Sequence, residues 1–150
     1  MLREDLQNAL KEAMKAHDTA TVAAVRLIIA GQKEKDVEAR GKGQKEASDA
    51  DLMSMMQTMI KQRKESVEIY ENAGRPELAE KEKAEIAVIE KFLPKQMSED
   101  EIVAAIKAVV AEVGAESMKD MGKVMGVLRT KYAGQMDFGK ASGLIKTILG

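Results

Sequence analysis

Basic side chains gather in the last third of the chain, where their type and spacing could serve to bind phosphate. Residues 117–150 carry a net charge of +4, although the whole chain carries −1. Cations on one side of a helical hairpin can follow a nucleic-acid backbone, and each contact adds salt-dependent affinity. Lys119 and Lys123 are four residues apart and so share a helical face, with Lys131 near that face. The predicted nucleic-acid contacts are Lys119, Lys123, Arg129, Lys131 and Lys140.

The spacing of these cations also fits an ordinary solvated face of a helix bundle. Spacing alone favours that interpretation, because charged runs on helices commonly face water. No aromatic residue lies among Lys119, Lys123, Arg129 and Lys131 in the sequence, so stacking of bases on a protein ring is not predicted.

The same region contains two glycines at positions where glycine is unfavourable. Gly122 and Gly126 lie four residues apart inside a predicted helix, where each costs about 1 kcal/mol relative to alanine. The pair would let a neighbouring helix or a sugar-phosphate chain come close to the backbone. Helix packing is the favoured interpretation, and the two interpretations are compatible.

Residues for catalysis or metal binding are scarce. The chain has no Cys and a single His, His17, so it offers neither a thiolate nor a His cluster. Gly41-Lys42-Gly43 is too short for a phosphate-binding loop. The glutamates of the predicted fourth helix lack the Glu-x-x-His pairs of a di-iron site. We therefore predict no catalytic residue, no metal site and no cofactor.

The third predicted helix carries two unusual features. Arg63 falls on its apolar stripe, so we expect an ion pair with an acidic residue of the fourth helix: Glu82, Glu85 or Glu90. Four methionines crowd both faces of the same helix: Met53, Met55, Met56 and Met59. Core packing is the stronger expectation for them, and a part of that surface could bind a protein partner.

The elements that position these residues are all helices. Apolar residues recur at steps of three and four along almost the whole chain, and aromatics make up only 3% of it. The pattern predicts an all-α fold with four N-terminal helices, including a long antiparallel pair, and a compact lobe of three helices. The predicted domains are 1–94 and 95–150, divided at Pro94. We identify no strand and no internal repeat.

Caps and breakers set the predicted boundaries of the helices. The first two helices span about 2–16 and about 19–37, and an exposed, mobile loop follows at 40–47. A third helix ends near Gly74, and a fourth runs from Pro76 to Leu93. In the last lobe, Ser98 and Glu101 form a capping box, Gly114 and Gly134 end helices, and Asp137 begins one.

The sequence has no apolar run near the ~20 residues that a membrane span needs. Its first residues, Met1-Leu2-Arg3-Glu4-Asp5, lack the apolar stretch of a signal peptide. We therefore expect a cytoplasmic protein that does not bind membranes.

Three sequence segments, in this order, resemble the YqeY family of small bacterial proteins. They are Lys61-Gln62-Arg63-Lys64-Glu65-Ser66, Leu93-Pro94-Lys95-Gln96-Met97-Ser98 and Met118-Lys119-Asp120-Met121-Gly122-Lys123-Val124-Met125-Gly126. The resemblance covers essentially the whole chain.

The last lobe is also similar to the tail domain of GatB, the B subunit of the glutamine-dependent amidotransferase that corrects misacylated Asp-tRNA and Glu-tRNA. The shared elements are Gly122, Met125, Gly134 and the helix start that follows. The tail domain more often has Asn-Pro where this chain has Asp137-Phe138. In that enzyme the tail domain contacts tRNA, and the chemistry lies elsewhere.

The resemblance implies a non-catalytic accessory protein that binds tRNA or another structured RNA. The first alternative is a protein–protein interaction adapter that uses the N-terminal helices. A component of a glutamine-dependent amidotransferase, with carbon–nitrogen ligase activity, ranks lowest, because no residue can be nominated as nucleophile, base or metal ligand.

Overall fold

The computed structural model describes residues 1–150 and is entirely helical, which confirms the all-α prediction. A short 3₁₀ turn at Met118–Asp120 precedes the sixth of seven α-helices. The helices are α1 (Leu2–Lys15), α2 (Thr19–Gly41), α3 (Asp49–Asn72), α4 (Pro76–Glu90), α5 (Glu99–Val113), α6 (Met121–Lys131) and α7 (Phe138–Leu149).

The chain divides into two compact units, Met1–Pro94 and Lys95–Gly150. Each unit has its own cluster of buried apolar side chains. In the first unit the large, fully buried side chains come from α1, α2, α3 and α4: Leu6, Ile28, Leu52, Met56 and Ile89. That the two units are domains able to fold alone stays a prediction.

Several helix ends lie where local sequence signals place them. The Asp18 carboxylate accepts the Thr21 N–H at 3.1 Å and so caps α2. Gly74 adopts a φ of +71° after α3, a conformation that costs a glycine little, and Pro76 follows as the first residue of α4. These predicted boundaries are confirmed because each depends only on residues close in sequence.

The helices α3 and α4 form the long antiparallel pair. A turn of three residues, 73–75, joins them. Arg63 Nε lies 2.9 Å from Glu85 Oε2, and both side chains are largely buried, at 16% and 18% exposure. The predicted ion pair of Arg63 is therefore confirmed, and Glu85 is its partner. Removal of either side chain would leave the other charge poorly solvated.

The connection between α2 and α3 differs from the prediction in two ways. The helix α2 continues to Gly41, beyond the expected end near Val37. Ala47, expected in an exposed loop, is only 4% exposed. Its N–H donates to Asp36 Oδ1 at 2.9 Å, and its carbonyl oxygen accepts from Arg3 Nη2 at 2.7 Å. These partners are distant in sequence, so local periodicity could not reveal them. The helix α4 also ends earlier than predicted, at Glu90 instead of Leu93.

Arg3 and Asp36 tie the start of α1 to the end of α2. The guanidinium donates to both carboxylate oxygens, at 2.7 Å and 2.6 Å. The hydrogen bonds from Arg3, together with the one from the Ala47 N–H, lower the pKa of Asp36 to about 2. The folded state therefore prefers the ionised carboxylate.

We expect Asp36→Asn to lower the free energy of unfolding by about 2 kcal/mol at pH 7. An unfolded Asp has a pKa near ~3.9. Because folding depresses this pKa, the stabilisation is fully present above pH ~4 and is lost as the pH falls towards ~2. Urea denaturation of both proteins between these limits measures the loss.

Asp5→Asn is the matched control, because Asp5 is exposed and makes no ion pair. It should change the stability by a few tenths of a kcal/mol, roughly the effect of one charge in a first helical turn. A gap between wild type and Asp36→Asn that stays constant down to pH ~2 would contradict the assigned role of Asp36.

Candidate nucleic-acid interface

The helices α6 and α7 both pack against α5. Ser98 Oγ accepts the Glu101 N–H and Glu101 Oε1 accepts the Ser98 N–H, both at 3.2 Å, which confirms the predicted capping box. The bond from the Ser98 N–H lowers the pKa of Glu101. Gly114 ends the helix with a φ of +67°. The buried face of α5 consists of Ile102, Ala105, Ile106 and Val109.

A short turn leads the chain from α5 into α6. Ser117 Oγ accepts the Lys119 N–H at 3.3 Å, and the Asp120 carboxylate accepts the Glu116 N–H at 3.0 Å. The bond from Glu116 lowers the pKa of Asp120, and the nearby charge of Lys123 contributes to the same shift. Lys119 lies exposed in this turn.

Two buried side chains determine which side of α6 faces the core. Val124 and Leu128 are fully buried, and they lie one turn apart. The opposite side of the helix therefore faces solvent, and its residues Lys123, Gly126 and Thr130 are exposed. Lys123 consequently points away from the core, as binding to an external ligand requires.

Arg129 and Lys131 lie on opposite flanks of α6. The guanidinium carbon of Arg129 is 6.0 Å from the centre of the Phe138 ring at the start of α7. The ammonium of Lys131 instead reaches α5, where it lies 2.7 Å from Glu112 Oε2. Lys131 follows Lys123 by eight residues, or about 80° around the helix, so it starts near the expected face, but its ammonium turns towards an acid of α5.

Two of the five predicted contacts are paired with acidic side chains of α5. The hydrogen bond to Glu112 raises the pKa of Lys131. Lys140 Nζ lies 3.3 Å from Glu99 Oε2. Both pairs are about half exposed, so water screens them and each contributes little to stability. Lys119, Lys123 and Arg129 make no ion pair, although Asp120 lies near enough to Lys123 for the two charges to interact.

Gly122 and Gly126 lie on the solvent side of α6. Both are exposed, and a Cβ built on either would meet no heavy atom within 4 Å. The favoured interpretation, that the pair allows close helix packing, is therefore wrong. The remaining interpretation is that the backbone is left bare towards solvent.

Sequence reasoning left out Lys146, which is exposed on α7 and makes no ion pair. It belongs to the basic block, but it does not share a face with Lys140. The sequence does contain a signal that singles out Lys146. It follows Arg129 by 17 residues, and Lys140 follows Lys123 by the same 17 residues.

A separate groove lies in the first unit, between α2 and α3. Its volume is about 680 Å³, and Leu27, Met55 and Met59 contribute apolar side chains to its lining. The Met55 sulfur lies only 2.7 Å from where a Cβ on Gly31 would be, so the two helices meet closely there. Of the four methionines of α3, Met56 is fully buried, and Met53, Met55 and Met59 pack partly buried against the core.

The structure contains no group of three or more His, Cys, Asp or Glu side chains placed to hold a metal ion. None of the helices combines the length and the hydrophobicity that crossing a bilayer demands.

Comparisons with known proteins agree with the predicted resemblance. The family model described as Yqey-like protein matches residues 3–149. The chain is 34% identical to "Altered inheritance of mitochondria protein 41, mitochondrial" of Lachancea thermotolerans over 73% of its own length and 58% of the relative's. It is 28% identical to the protein of the same name from Pyrenophora tritici-repentis, over 99% of its own length and 79% of the relative's.

The chain thus spans less than two thirds of the Lachancea protein. The names of both relatives place those proteins in mitochondria, so they lend no support to the expected cytoplasmic location, which stays a prediction. The family model covers nearly the whole chain, and the protein therefore belongs to the YqeY family.

Proposed function

We propose that the second unit of this YqeY-family protein binds tRNA or another structured RNA by its phosphate backbone and catalyses no reaction itself. The observation that carries the proposal is the exposed side of α6, where cations that make no ion pair lie beside bare glycines. A phosphate chain is the common biological ligand that gains from both features, since it is anionic and narrow.

The unpaired cations supply the attraction. Lys119 precedes α6, Lys123 lies in its first turn, and Arg129 follows near its end. Positive charges spaced along one helix can each replace a counterion of a phosphate. Lys131 and Lys140 can join them, because their exposed ion pairs are weak enough to exchange an acid of α5 for a phosphate.

The bare glycines allow a ligand to come close to the helix backbone. A side chain at position 122 or 126 would hold a ligand at least one methyl group away from the helix backbone. With glycine, the ribose-phosphate chain can lie directly on α6 while Lys123 reaches it from the same side. The resemblance of this unit to a tRNA-contacting tail domain supports the same assignment. RNA of either the cytoplasm or a mitochondrion offers this backbone, so the proposal is independent of the compartment.

We expect the triple variant Lys119→Gln, Lys123→Gln and Arg129→Gln to weaken binding of total tRNA by roughly tenfold or more at low salt. The slope of log affinity against log salt concentration should fall by about 3, or about 1 for each lost phosphate contact. Fluorescence anisotropy across a salt series measures both quantities.

Lys107→Gln is the matched control, because Lys107 is an exposed, unpaired lysine of α5 outside this surface. Circular dichroism establishes that every variant remains helical. If wild type fails to bind tRNA at low salt, or if the triple variant keeps the wild-type slope, the proposal is wrong.

Gly126→Ala distinguishes a glycine that allows a ligand to approach the backbone from one that only weakens the helix. We expect it to raise the free energy of unfolding by roughly 1 kcal/mol, since alanine favours the helix and the site has room for a methyl group. It should at the same time weaken RNA binding severalfold, because the methyl group stands where the backbone is approached.

Gly41→Ala in α2 is the control for this substitution, because a Cβ there also meets nothing within 4 Å. It should leave RNA binding unchanged. A Gly126→Ala protein that is more stable and binds RNA as well as wild type would refute close approach at α6.

The groove between α2 and α3 favours a second candidate, an adapter that binds a protein partner through the N-terminal helices. Leu27 is a large apolar residue that is 47% exposed in this groove, and the flexible side chains of Met55 and Met59 could adapt to an apolar helix. A partner that survives nuclease treatment in a pull-down and is lost with Leu27→Glu would favour the adapter. Loss of every captured protein on nuclease treatment would favour the RNA-binding function.

A further inference from the structure

The sequence of α6 occurs a second time as the sequence of α7. Residues 120–130 (DMGKVMGVLRT) and 137–147 (DFGKASGLIKT) lie 17 positions apart. Five of the eleven positions are identical, namely those of Asp, Gly, Lys, Gly and Thr, and Arg129 aligns with Lys146. The prediction that the chain has no internal repeat is therefore wrong.

The structure uses the two copies in the same way. Each helix begins at the second residue of its copy, Met121 or Phe138. Val124 and Leu128 are buried in α6, and their counterparts Ala141 and Ile145 are buried in α7. From the second to the eleventh residue, the sequence of buried, half-buried and exposed positions is the same in both copies.

Glycine and threonine also have equivalent environments. Thr130 Oγ1 donates to the Gly126 carbonyl oxygen at 3.0 Å, and Thr147 Oγ1 donates to that of Gly143 at 3.3 Å. A Cβ on Gly143 would meet nothing within 4 Å, as on Gly126. The copies differ at their first residue, because Asp137 caps α7 through the Gly139 N–H at 2.8 Å, whereas Asp120 binds Glu116.

Lys146 lies on the same half of α7 as Phe138, whose ring the Arg129 guanidinium of α6 overlies. Lys146 follows Phe138 by eight residues, which is a rotation of about 80° around a helix, so both lie on the same half of α7. Lys140 projects from the other flank, where Glu99 of α5 pairs with it. Arg129 in α6 and Lys146 in α7 are therefore cations on the Phe138 side of the two helices, and neither makes an ion pair.

We propose that α6 and α7 each carry one copy of the same phosphate-contact site, in which Lys146 is the counterpart of Arg129 and Gly143 that of Gly126. This inference rests on the proposed function and names its ligand more closely. Two copies of one backbone site suit a ligand with two phosphate chains, and a base-paired RNA stem provides them across its groove. A single strand provides one chain, and the Phe138 ring beside Arg129 is half-buried, so it offers little open face on which a base could stack.

The test uses the full chain and two synthetic probes: an RNA hairpin with a stem of about 16 base pairs and an oligouridylate of equal nucleotide number. Wild type should bind the hairpin more tightly than the oligouridylate. Lys146→Gln and Arg129→Gln should each lower the salt slope for the hairpin by about 1, and the double variant by about 2. Lys107→Gln should keep the wild-type slope, because Lys107 lies on α5.

Gly143→Ala provides a readout that a structural role would not give. It should raise the midpoint of thermal unfolding and weaken binding of the hairpin, as an open helical glycine used for close approach requires. A rise in the midpoint with unchanged affinity would overturn the assignment of Gly143.

The outcomes separate this inference from the proposed function. If wild type binds neither probe at low salt, the proposed function fails. If wild type binds the hairpin and Arg129→Gln weakens it while Lys146→Gln does not, the proposed function stands and the second copy is refuted. Tighter binding of the oligouridylate than of the hairpin would refute the two-chain ligand.

Discussion

The burial of two side chains, one turn apart, on each of α6 and α7 is the constraint on which the candidate site depends. Val124 and Leu128 in α6, and Ala141 and Ile145 in α7, can leave water only by packing into the core that α5 completes. Because a helix is rigid about its axis, this burial also decides which residues face outward. The glycines, the threonines and the cations of both copies therefore reach the surface by the same rotation. No separate interaction is needed to aim them.

The acids of α5 then divide the basic block into two groups. Glu112 and Glu99 lie on the side of α5 and neutralise Lys131 and Lys140 at the outer flanks of α6 and α7. Arg129 and Lys146 form no ion pair with a carboxylate of the unit. The net charge of +4 over residues 117–150 therefore overstates the positive charge that is free at the surface. The cations without an ion pair are a narrower set, carried by the turn before α6, by α6 and by α7.

The features that the sequence predicts correctly are those whose causes are local. The capping box at Ser98 and Glu101, the left-handed Gly114 and the Asp137 cap each involve residues within one helical turn. Features with distant partners were missed. Arg3 and Asp36 hold buried Ala47 by its backbone, and the ammonium of Lys131 turns towards α5 because Glu112 attracts it. The partner of Arg63 was narrowed to three glutamates but not to Glu85, because that choice depends on the register of α3 against α4. The repeat can be found in the amino-acid sequence alone. The burial pattern is needed to interpret it, because only that pattern shows that both copies expose the same face.

The glycines of the repeat are hard to explain by stability. Gly126 and Gly143 lie inside helices, face open space and together cost about 2 kcal/mol relative to alanine. A unit the size of Lys95–Gly150 has a net stability of only about 3–8 kcal/mol, so the cost is a substantial part of the total. No contact within the unit requires a missing side chain at either position. A residue choice that lowers stability, lies open to solvent and occurs at the same place in two helices is typical of a surface shaped by a ligand. The cation that accompanies each glycine, Arg129 or Lys146, favours a ligand that carries negative charge, such as the phosphate backbone that we propose.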